Sequence, residues 1–246
     1  MQIQKATLET CATAKGLVVA IDVLRAFSTA AYALAAGVRE IILVGTVEEA
    51  FQLRQRFPDY LIMGEDNGLP VPDFDFSNSP AELILSQHNG AHDLHGRVMI
   101  QRTSAGTQGI VHSQRANNLL AASFVVASAT ARAIRQINPE SLTFVITGIA
   151  AGSRFNASDD DLAAFGDEDA ACAEYIECLL AGLSPNPATF QQRVLNSGPG
   201  RIFSNPARPE FPEADLELCT AIDRFDFAMR VRRRAELFIL TPYKPS

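Results

Sequence analysis

The sequence predicts an α/β protein with three layers (α/β/α), in which helices cover both faces of a mostly parallel sheet. Short apolar runs rich in valine and isoleucine, typical of buried strands, alternate along the chain with segments of helical period. With 246 residues, of which 47% are hydrophobic, the chain can bury the core that such a sheet needs. We therefore expect one α/β domain over residues 1–246, with a Pro-rich C-terminal part at 183–246.

The elements of the first 80 residues follow from periodicity and from the residues that end each segment. Ser28 or a neighbour would cap the first helix, and Gly37 would end it. The segment 66–80 holds three prolines among Gly, Asn, Asp and Ser, and it is predicted as a functional loop. The predicted strands are 16–23, 40–46 and 60–65, and the predicted helices are 28–37 and 47–58.

The rest of the chain continues the alternation and then becomes richer in proline. The predicted strands are 97–103, 118–123, 141–150 and 235–240; the predicted helices are 81–87, 104–111 after a turn, 124–137, 167–182, about 188–196 and about 214–222. A polar loop is expected at 152–166. The basic run "RVRRRAE" (230–236) is interpreted as a solvated face or an oligomer contact.

Composition excludes several classes of function. The net charge of −7 argues against a nucleic-acid partner, which usually requires a basic face. The four cysteines show neither CxxC spacing nor a histidine partner, so reduced thiols are expected. The N-terminus is polar, and no apolar run reaches the ~18 residues of a membrane span. We predict a cytoplasmic protein without a membrane partner and leave a homo-oligomer open.

The first predicted strand ends in an unusual group of polar residues. In an α/β sheet, ligands bind at the carboxyl ends of strands, where Asp22 and Arg25 are expected. A carboxylate after an apolar run is costly to bury unless it is paired or binds a metal. Arg25 can offer a planar fork to an anion, and Ser28 and Thr29 could hold one at a helix N-terminus. The alternatives are a helix cap and an Asp22–Arg25 ion pair.

A second turn of similar character is "RTSAGTQG" (102–109). Its small side chains and exposed amides before a helix could cradle a phosphate, although it lacks the ending of a Walker A loop. The turn "GIAAGS" (148–153) carries the same weak signal.

Paired carboxylates make a hard cation such as Mg²⁺ a candidate ligand. Glu65 and Asp66 follow a strand, Asp73 and Asp75 lie in the proline-rich loop, and Glu168 and Asp169 open a helix. Acids in the first helical turn are favourable without any function, so the helix pair has a structural interpretation as well. The chain has no DxDxT, GxSxG, HExxH or strand-following GxGxxG motif.

Five segments in order resemble the Mg²⁺-dependent 2-phosphosulfolactate phosphatases of coenzyme M biosynthesis. They are "VVAIDVLRAFSTAAYALAAGV", "GEDNGLPVPDFDFSNSP", "VMIQRTSAGTQGI", "LLAASFVVASATARAI" and "AAGSRFNASDDDLAAFGDEDAACAEYIECLLAG", and they cover about residues 16–182. The resemblance implies an α/β phosphatase that uses Mg²⁺ and acts on a phosphate ester carrying carboxylate and sulfonate groups.

The resemblance also implies which residues form the site. Asp22 and Arg25 would be catalytic, and Asp22, Glu65 and Asp169 would bind Mg²⁺. The chain departs from the family pattern at Asp66, where the family has arginine, and in "RTSAGT", where the family has "TTNGT". The residues expected to bind substrate are Ser28, Thr29, Asn78, Ser79, Arg102, Thr103, Ser104, Gly106 and Thr107.

The sequence thus predicts a phosphoric monoester hydrolase that converts 2-phosphosulfolactate to sulfolactate and phosphate. One alternative is a non-catalytic phosphate-ligand binding or regulatory protein on the same scaffold, which the departures at 66 and 102–106 would favour. A less favoured alternative is a phosphoryl or other group transferase.

Overall fold

A computed structural model describes residues 1–148 and 166–245. The strands are β1 (Gln2–Thr7), β2 (Leu17–Ile21), β3 (Glu40–Val44), β4 (Leu61–Asp66), β5 (Leu69–Pro70), β6 (Phe76–Ser77), β7 (Val98–Arg102), β8 (Asn118–Ala122), β9 (Ser141–Ile146), β10 (Ala228–Arg234) and β11 (Leu237–Tyr243). The helices are α1 (Ala26–Ala35), α2 (Val47–Arg56), α3 (Pro80–His88), α4 (Gly106–His112), α5 (Ala127–Ile137), α6 (Asp167–Leu180), α7 (Pro187–Asn196), α8 (Gly198–Phe203) and α9 (Glu213–Thr220). The predicted loop 152–166, except Gly166, and the turn 148–153, except Gly148, lie outside the described residues.

The strands form one mixed, mostly parallel sheet with helices on both faces, which confirms the predicted three-layer α/β class. The strand order is β1-β9-β2-β8-β10-β11-β3-β7-β4-β5, and β6 pairs with β4. Strands β1, β9, β2 and β8 are mutually parallel, and so are β3, β7 and β4. The antiparallel hairpin β10–β11 joins the two groups and pairs antiparallel with β8 and with β3.

The first predicted helix starts two residues earlier than expected. Helix α1 begins at Ala26, and its N-cap position is Arg25 rather than Ser28. Gly37 has a φ of +98°, so it ends this helix in the left-handed conformation that glycine tolerates best. The peptide bond between Leu24 and Arg25 is cis.

Besides the two-residue strands β5 and β6 within the predicted loop 66–80, two strands and one α-helix were not predicted. Strand β1 lies at an edge of the sheet and has mostly exposed side chains, so it lacks the apolar pattern of a buried strand. The basic run at 230–236 overlaps β10, a strand between β8 and β11 in which Val231 is buried while Arg232, Arg233 and Arg234 are exposed. Residues 232–236, five of the seven in this run, are therefore exposed to solvent, while Val231 packs into the sheet. The third missed element is the short helix α8.

The core is divided by the sheet into three apolar clusters. One face carries Val18, Leu43 and Met99 from three strands against Phe27 of α1 and Ile110 of α4. The opposite face is covered by α5 to α9 over the first parallel group and by α2 over the second. No helix in the described parts of the chain is both long and apolar enough to cross a bilayer.

The sheet curls, and this curvature creates the site. Strands β2 and β7 lie five steps apart in the strand order, which would separate them by ~24 Å in a flat sheet. Nevertheless, Gln101 of β7 donates a hydrogen bond from Nε2 to the Ala26 carbonyl at 2.9 Å. Gly106 lies so close to Asp22 that an added Cβ would be 2.8 Å from Asp22 Oδ2. The carboxyl ends of β2 and β7 therefore meet at one cleft.

Candidate active site

A cleft opens where the ends of β2, β4 and β9 meet the start of α6. Its wall combines carboxylates, one arginine and a set of apolar side chains from the C-terminal part of the chain. The lining residues are Asp22, Leu24, Arg25, Glu65, Gly68, Asn78, Ala105, Gly148, Glu168, Asp169, Pro199, Ile202, Phe203 and Phe211. All four residues predicted as catalytic or metal-binding, namely Asp22, Arg25, Glu65 and Asp169, line this cleft.

Asp22 both caps a helix and faces the cleft. Its Oδ1 accepts a hydrogen bond from the Ala26 amide at 2.8 Å, which satisfies the first N–H of α1. The Thr147 hydroxyl lies 3.4 Å from Oδ2. Burial raises the pKa of Asp22 to about 6, and the charge of Glu65 adds to this effect. Capping thus accounts for one oxygen, while the residue still lines the cleft.

Asp169 fastens the ends of two strands to each other. Its Oδ1 accepts the Val23 amide at 2.8 Å, and its Oδ2 accepts the Gly148 amide at 2.9 Å. The Thr147 hydroxyl is 3.3 Å from Oδ2. Burial, followed by the charge of Glu168, raises the pKa of Asp169 well above its usual value. With both oxygens occupied, Asp169 is the least available of the predicted metal ligands, and its assignment stays a prediction.

Glu168 is the most available carboxylate in the cleft. Only 2% of this residue is exposed, and Oε2 has no hydrogen-bond partner among the described residues. Burial raises the pKa of Glu168 to about 8, and the charges of Asp22 and Asp167 contribute. The sequence marked Glu168 only as one of a pair that opens a helix, because an acid in the first turn has a structural explanation.

Glu65 connects the proline-rich loop to the turn after β7. Its Oε2 accepts the Gly68 amide at 2.5 Å, and its Oε1 accepts the Ser104 amide at 2.5 Å. The Ser104 hydroxyl also donates to Oε2 at 3.1 Å. The carboxylate is therefore held in one orientation, facing the same cleft as Asp22 and Glu168.

Arg25 also lines the cleft, and it is paired with an acid that the sequence analysis missed. Arg25 Nη1 is 2.8 Å from Asp215 Oδ2, and Nη2 donates to the Gly68 carbonyl at 3.4 Å. The guanidinium carbon is 5.0 Å from the ring centroid of Phe203 and 5.5 Å from that of Phe211. The predicted Asp22–Arg25 ion pair is therefore replaced by Arg25–Asp215. A signal for Asp215 existed, since it shares the buried face of α9 with Leu216 and Cys219.

The remaining residues of the first two predicted motifs divide between the cleft and the scaffold. Ser28 and Thr29 are fully buried, and their hydroxyls donate to the carbonyls of Val23 and Asn78, at 2.7 Å and 3.3 Å. Neither lines the cleft. Asn78 does, and its Oδ1 is buried without a partner in the described chain. Ser79 caps α3 by accepting the Glu82 amide. Substrate binding by these residues stays a prediction.

The turn after β7 is held together by its own hydroxyls. Thr103 and Thr107 bond reciprocally, since each side-chain oxygen accepts the other's amide at 3.0 Å. Arg102 points into a neighbouring groove, where Nη1 is 2.7 Å from both Asp66 Oδ1 and the Glu65 carbonyl. The two departures from the family pattern, at 66 and 102, thus form one ion pair outside the cleft.

The donor set of the cleft fits a hard cation. It offers carboxylate oxygens, one of them unpartnered, and Mg²⁺ prefers such ligands and keeps several waters. A Cβ at Gly148 would lie 2.7 Å from Glu168 Oε1, so glycine leaves room beside this ligand as Gly106 does beside Asp22. Within the described residues, no group of three or more His, Cys, Asp or Glu side chains is arranged so that it could hold a metal ion. A cation would therefore complete its shell with water and substrate oxygens.

Comparison with known proteins identifies the family of the chain. The sequence model of the family described as 2-phosphosulpholactate phosphatase matches residues 2–234. The chain is 30% identical over 220 residues to the "Probable 2-phosphosulfolactate phosphatase" of Bacillus subtilis, which covers 89% of this chain and 88% of that protein. It is 36% identical over 164 residues to the protein of the same name from Carboxydothermus hydrogenoformans, covering 67% of this chain and 60% of that protein.

A protein of the same name from Deinococcus radiodurans is 37% identical over 129 residues, 52% of this chain and 51% of that protein. The family model extends over the strands β1 to β10, the residues that line the cleft and Asp215. It thus includes most of the Pro-rich part, which the five resembling segments do not reach. The chain therefore belongs to the 2-phosphosulpholactate phosphatase family, a family of phosphoric monoester hydrolases.

Proposed function

We propose that this enzyme is a Mg²⁺-dependent phosphatase that hydrolyses 2-phosphosulfolactate to sulfolactate and phosphate. The observation that carries the proposal is the cleft itself, which is lined by the carboxylates Asp22, Glu65, Glu168 and Asp169 together with Arg25. The names of the relatives supply the substrate. The role in coenzyme M biosynthesis stays a prediction from the sequence resemblance.

Asp22, Glu65 and Glu168 are the candidate ligands of the cation. No three acids of the described chain form a group that could hold it together, so water and substrate oxygens would supply the remaining ligands. Glu168 has the unpartnered oxygen, Asp22 lies beside the small Gly106, and Glu65 is fixed in orientation by three hydrogen bonds. When bound, Mg²⁺ supplies positive charge to the phosphoryl oxygens as negative charge accumulates on them in the transition state. Buried like charges repel one another, and the positive charge of Mg²⁺ would offset this repulsion, so that the carboxylates can be ionised at the same time.

Arg25 would hold an anionic group of the substrate. It is the one cation that lines the cleft in the described parts of the chain. A guanidinium offers five N–H donors in a plane. Among the described residues, two nitrogens of Arg25 have hydrogen-bond acceptors, which are Asp215 and the Gly68 carbonyl. A planar fork with donors to spare suits a carboxylate, sulfonate or phosphate.

The apolar side chains of the cleft would exclude bulk water during the reaction. Ile202, Phe203 and Phe211 come from the C-terminal part and lie around Arg25. A drier cleft strengthens the attraction between Arg25 and a substrate anion. The departing oxygen must receive a proton from a group other than Asp22, whose ionised carboxylate is here a cation ligand or the attacking group.

The attacking group is either the Asp22 carboxylate, which would form a phospho-enzyme, or a water molecule. A single turnover in H₂¹⁸O and the trapping of an aspartyl phosphate together distinguish the two routes. With stoichiometric enzyme, direct attack by water places ¹⁸O in the phosphate. After attack by Asp22, hydrolysis of the aspartyl phosphate at carbon places ¹⁸O in the Asp22 carboxylate. Hydrolysis of the aspartyl phosphate at phosphorus places ¹⁸O in the phosphate. Trapping a labelled aspartyl phosphate separates this last case from direct attack by water.

The function is tested by measuring phosphate release from racemic 2-phosphosulfolactate with Mg²⁺ and with EDTA. We expect release with Mg²⁺, loss with EDTA and recovery when Mg²⁺ is returned. The control variant Asp223→Asn alters an exposed acid that caps α5 through Ser128, remote from the cleft, and should retain activity. Binding of the substrate without release under all conditions would instead favour the non-catalytic alternative.

A further inference from the structure

The Arg25–Asp215 pair is built so that one carboxylate controls the direction of the only cation lining the described cleft. Asp215 is completely buried, and Arg25 is 5% exposed. Asp215 Oδ2 accepts Arg25 Nη1, while Oδ1 accepts the Ser79 hydroxyl at 2.8 Å and the Ala81 amide at 2.9 Å. These contacts fix the carboxylate on the start of α3, so its position does not depend on Arg25.

Two aromatic rings restrict the guanidinium further. Phe203 and Phe211 lie about 5 Å from its central carbon, at distances where the faces of the rings attract a cation. Both rings, like Asp215, belong to the C-terminal part of the chain. The segment that carries the least motif information in the sequence therefore holds the arginine of the first motif.

The charges around the cleft show why such a restraint is needed. Asp22, Glu65, Glu168 and Asp169 line the same space as Arg25, so an unrestrained guanidinium would be attracted to them. An Arg25 paired with a metal-binding carboxylate would be lost to the substrate and would compete with the cation. A buried ion pair contributes little net stability compared with apolar packing, so stability alone does not account for Asp215.

We propose that Asp215 is a positioning residue, which keeps Arg25 from pairing with the other carboxylates of the cleft and directs its remaining N–H groups to an anionic substituent of the substrate other than the phosphate. This inference rests on the proposed function, because it assigns a role within the same reaction. The substituent is a carboxylate or a sulfonate, since both present acceptor oxygens that match a guanidinium.

The test compares wild type with Asp215→Asn on three monoesters. These are 2-phosphosulfolactate, 2-phospholactate, which lacks the sulfonate, and O-phosphoisethionate, which lacks the carboxylate. Asparagine can still accept from Ser79 and Ala81, but its amide group no longer offers Arg25 a charged acceptor. We expect kcat/KM for 2-phosphosulfolactate to fall roughly 10- to 100-fold, mainly through KM, as is usual when a partner that orients a binding group is removed.

The analogues decide between positioning and a purely structural role. Positioning predicts a much smaller loss on the analogue that lacks the group held by Arg25, and the analogue identifies that group. Equal losses on all three esters, or a loss in kcat with KM unchanged, would overturn the proposal. Asp223→Asn, which removes a comparable capping carboxylate outside the cleft, should change none of the three.

Two further variants keep the test decisive if Asp215→Asn folds poorly. Asp215→Glu retains the charge and should recover part of the KM. Arg25→Ala with Asp215→Asn should be no worse on 2-phosphosulfolactate than Arg25→Ala alone, because the two residues act as one unit. Additive losses would contradict the proposal.

Failure of the proposed function would be visible separately. Calorimetric titration of sulfolactate, the expected product, needs no turnover. If wild type releases no phosphate from any ester yet binds sulfolactate, the proposed function fails, and weaker binding by Asp215→Asn still supports positioning. If Asp215→Asn binds sulfolactate as tightly as wild type does, the positioning proposal is overturned.

Discussion

Replacing Glu168 with glutamine should stabilise the metal-free protein at neutral pH. Burial raises the pKa of Glu168 from 4.5 to about 8, so the folded state keeps a proton that the unfolded state releases. The stability that this group contributes is present in full below pH 4.5 and is lost as the pH rises toward 8. Between these limits, at pH 7, the loss amounts to ~3 kcal/mol.

Glutamine does not ionise, so Glu168→Gln avoids this pH-dependent loss of stability. In EDTA at pH 7 its melting temperature should exceed that of wild type by up to roughly 6–12 °C, the shift that ~3 kcal/mol produces in a chain of this size. At pH 4 the two proteins should melt within about 1 °C, because wild-type Glu168 is then neutral in both states.

Differential scanning calorimetry at pH 4 and pH 7, with EDTA and with Mg²⁺, measures these differences. Mg²⁺ should raise the melting temperature of wild type more than that of Glu168→Gln, because the variant has lost a charged ligand. Glu174→Gln, an exposed acid on the same helix, serves as the control and should change stability by less than about 1 kcal/mol. A melting difference between Glu168→Gln and wild type that is the same at both pH values, or an equal response to Mg²⁺, would refute the reasoning.

Three further predictions concern the cleft. Asp22→Asn should lower kcat for phosphate release at least roughly 100-fold with the circular dichroism spectrum unchanged, and retention of full activity would exclude Asp22 from catalysis. Gly106→Ala should lower the free energy of unfolding in urea by roughly 1–3 kcal/mol and should reduce activity, because the added Cβ would lie 2.5 Å from the Ala26 Cβ and 2.8 Å from Asp22 Oδ2. The control Gly45→Ala should change neither, because its Cβ would meet no atom closer than 3.5 Å. Asp66→Ala removes the exposed partner of Arg102 outside the cleft, so kcat/KM should stay within about threefold of wild type, and a larger loss would show that Arg102 acts on the substrate.

Most strands and helices of the first 146 residues could be predicted from local pattern, with β1, β5 and β6 as the strands that were missed. Strand β2 has a continuous apolar run, and helix α2 begins at a capping box formed by Thr46 and Glu49. Strand β10 could not be predicted, because a hairpin strand with three exposed arginines at its end has the composition of a surface loop. Its position in the sheet depends on pairing with β8 and β11, which are distant in sequence.

The candidate site divides in the same way. The rule that polar residues at strand ends form sites was sufficient to select Asp22, Arg25 and Glu65, which all line the cleft. It also selected Ser28 and Thr29, which do not line the cleft, because the start of α1 at Ala26 buries their hydroxyls against backbone carbonyls. It undervalued Glu168, since whether an acid at a helix start is solvated or buried depends on what packs over it.

The sequence by itself determined the class of fold, the family and the main acids of the cleft, because these follow from periodicity and from short motifs whose residues are close in the chain. Only the tertiary structure decided which groups oppose one another. Asp215 lies 190 residues from Arg25, and the two meet because α9 packs against α3 while the sheet curls around α1. The direction of a buried charge is set by every group that surrounds it, and that environment exists only once the chain is folded.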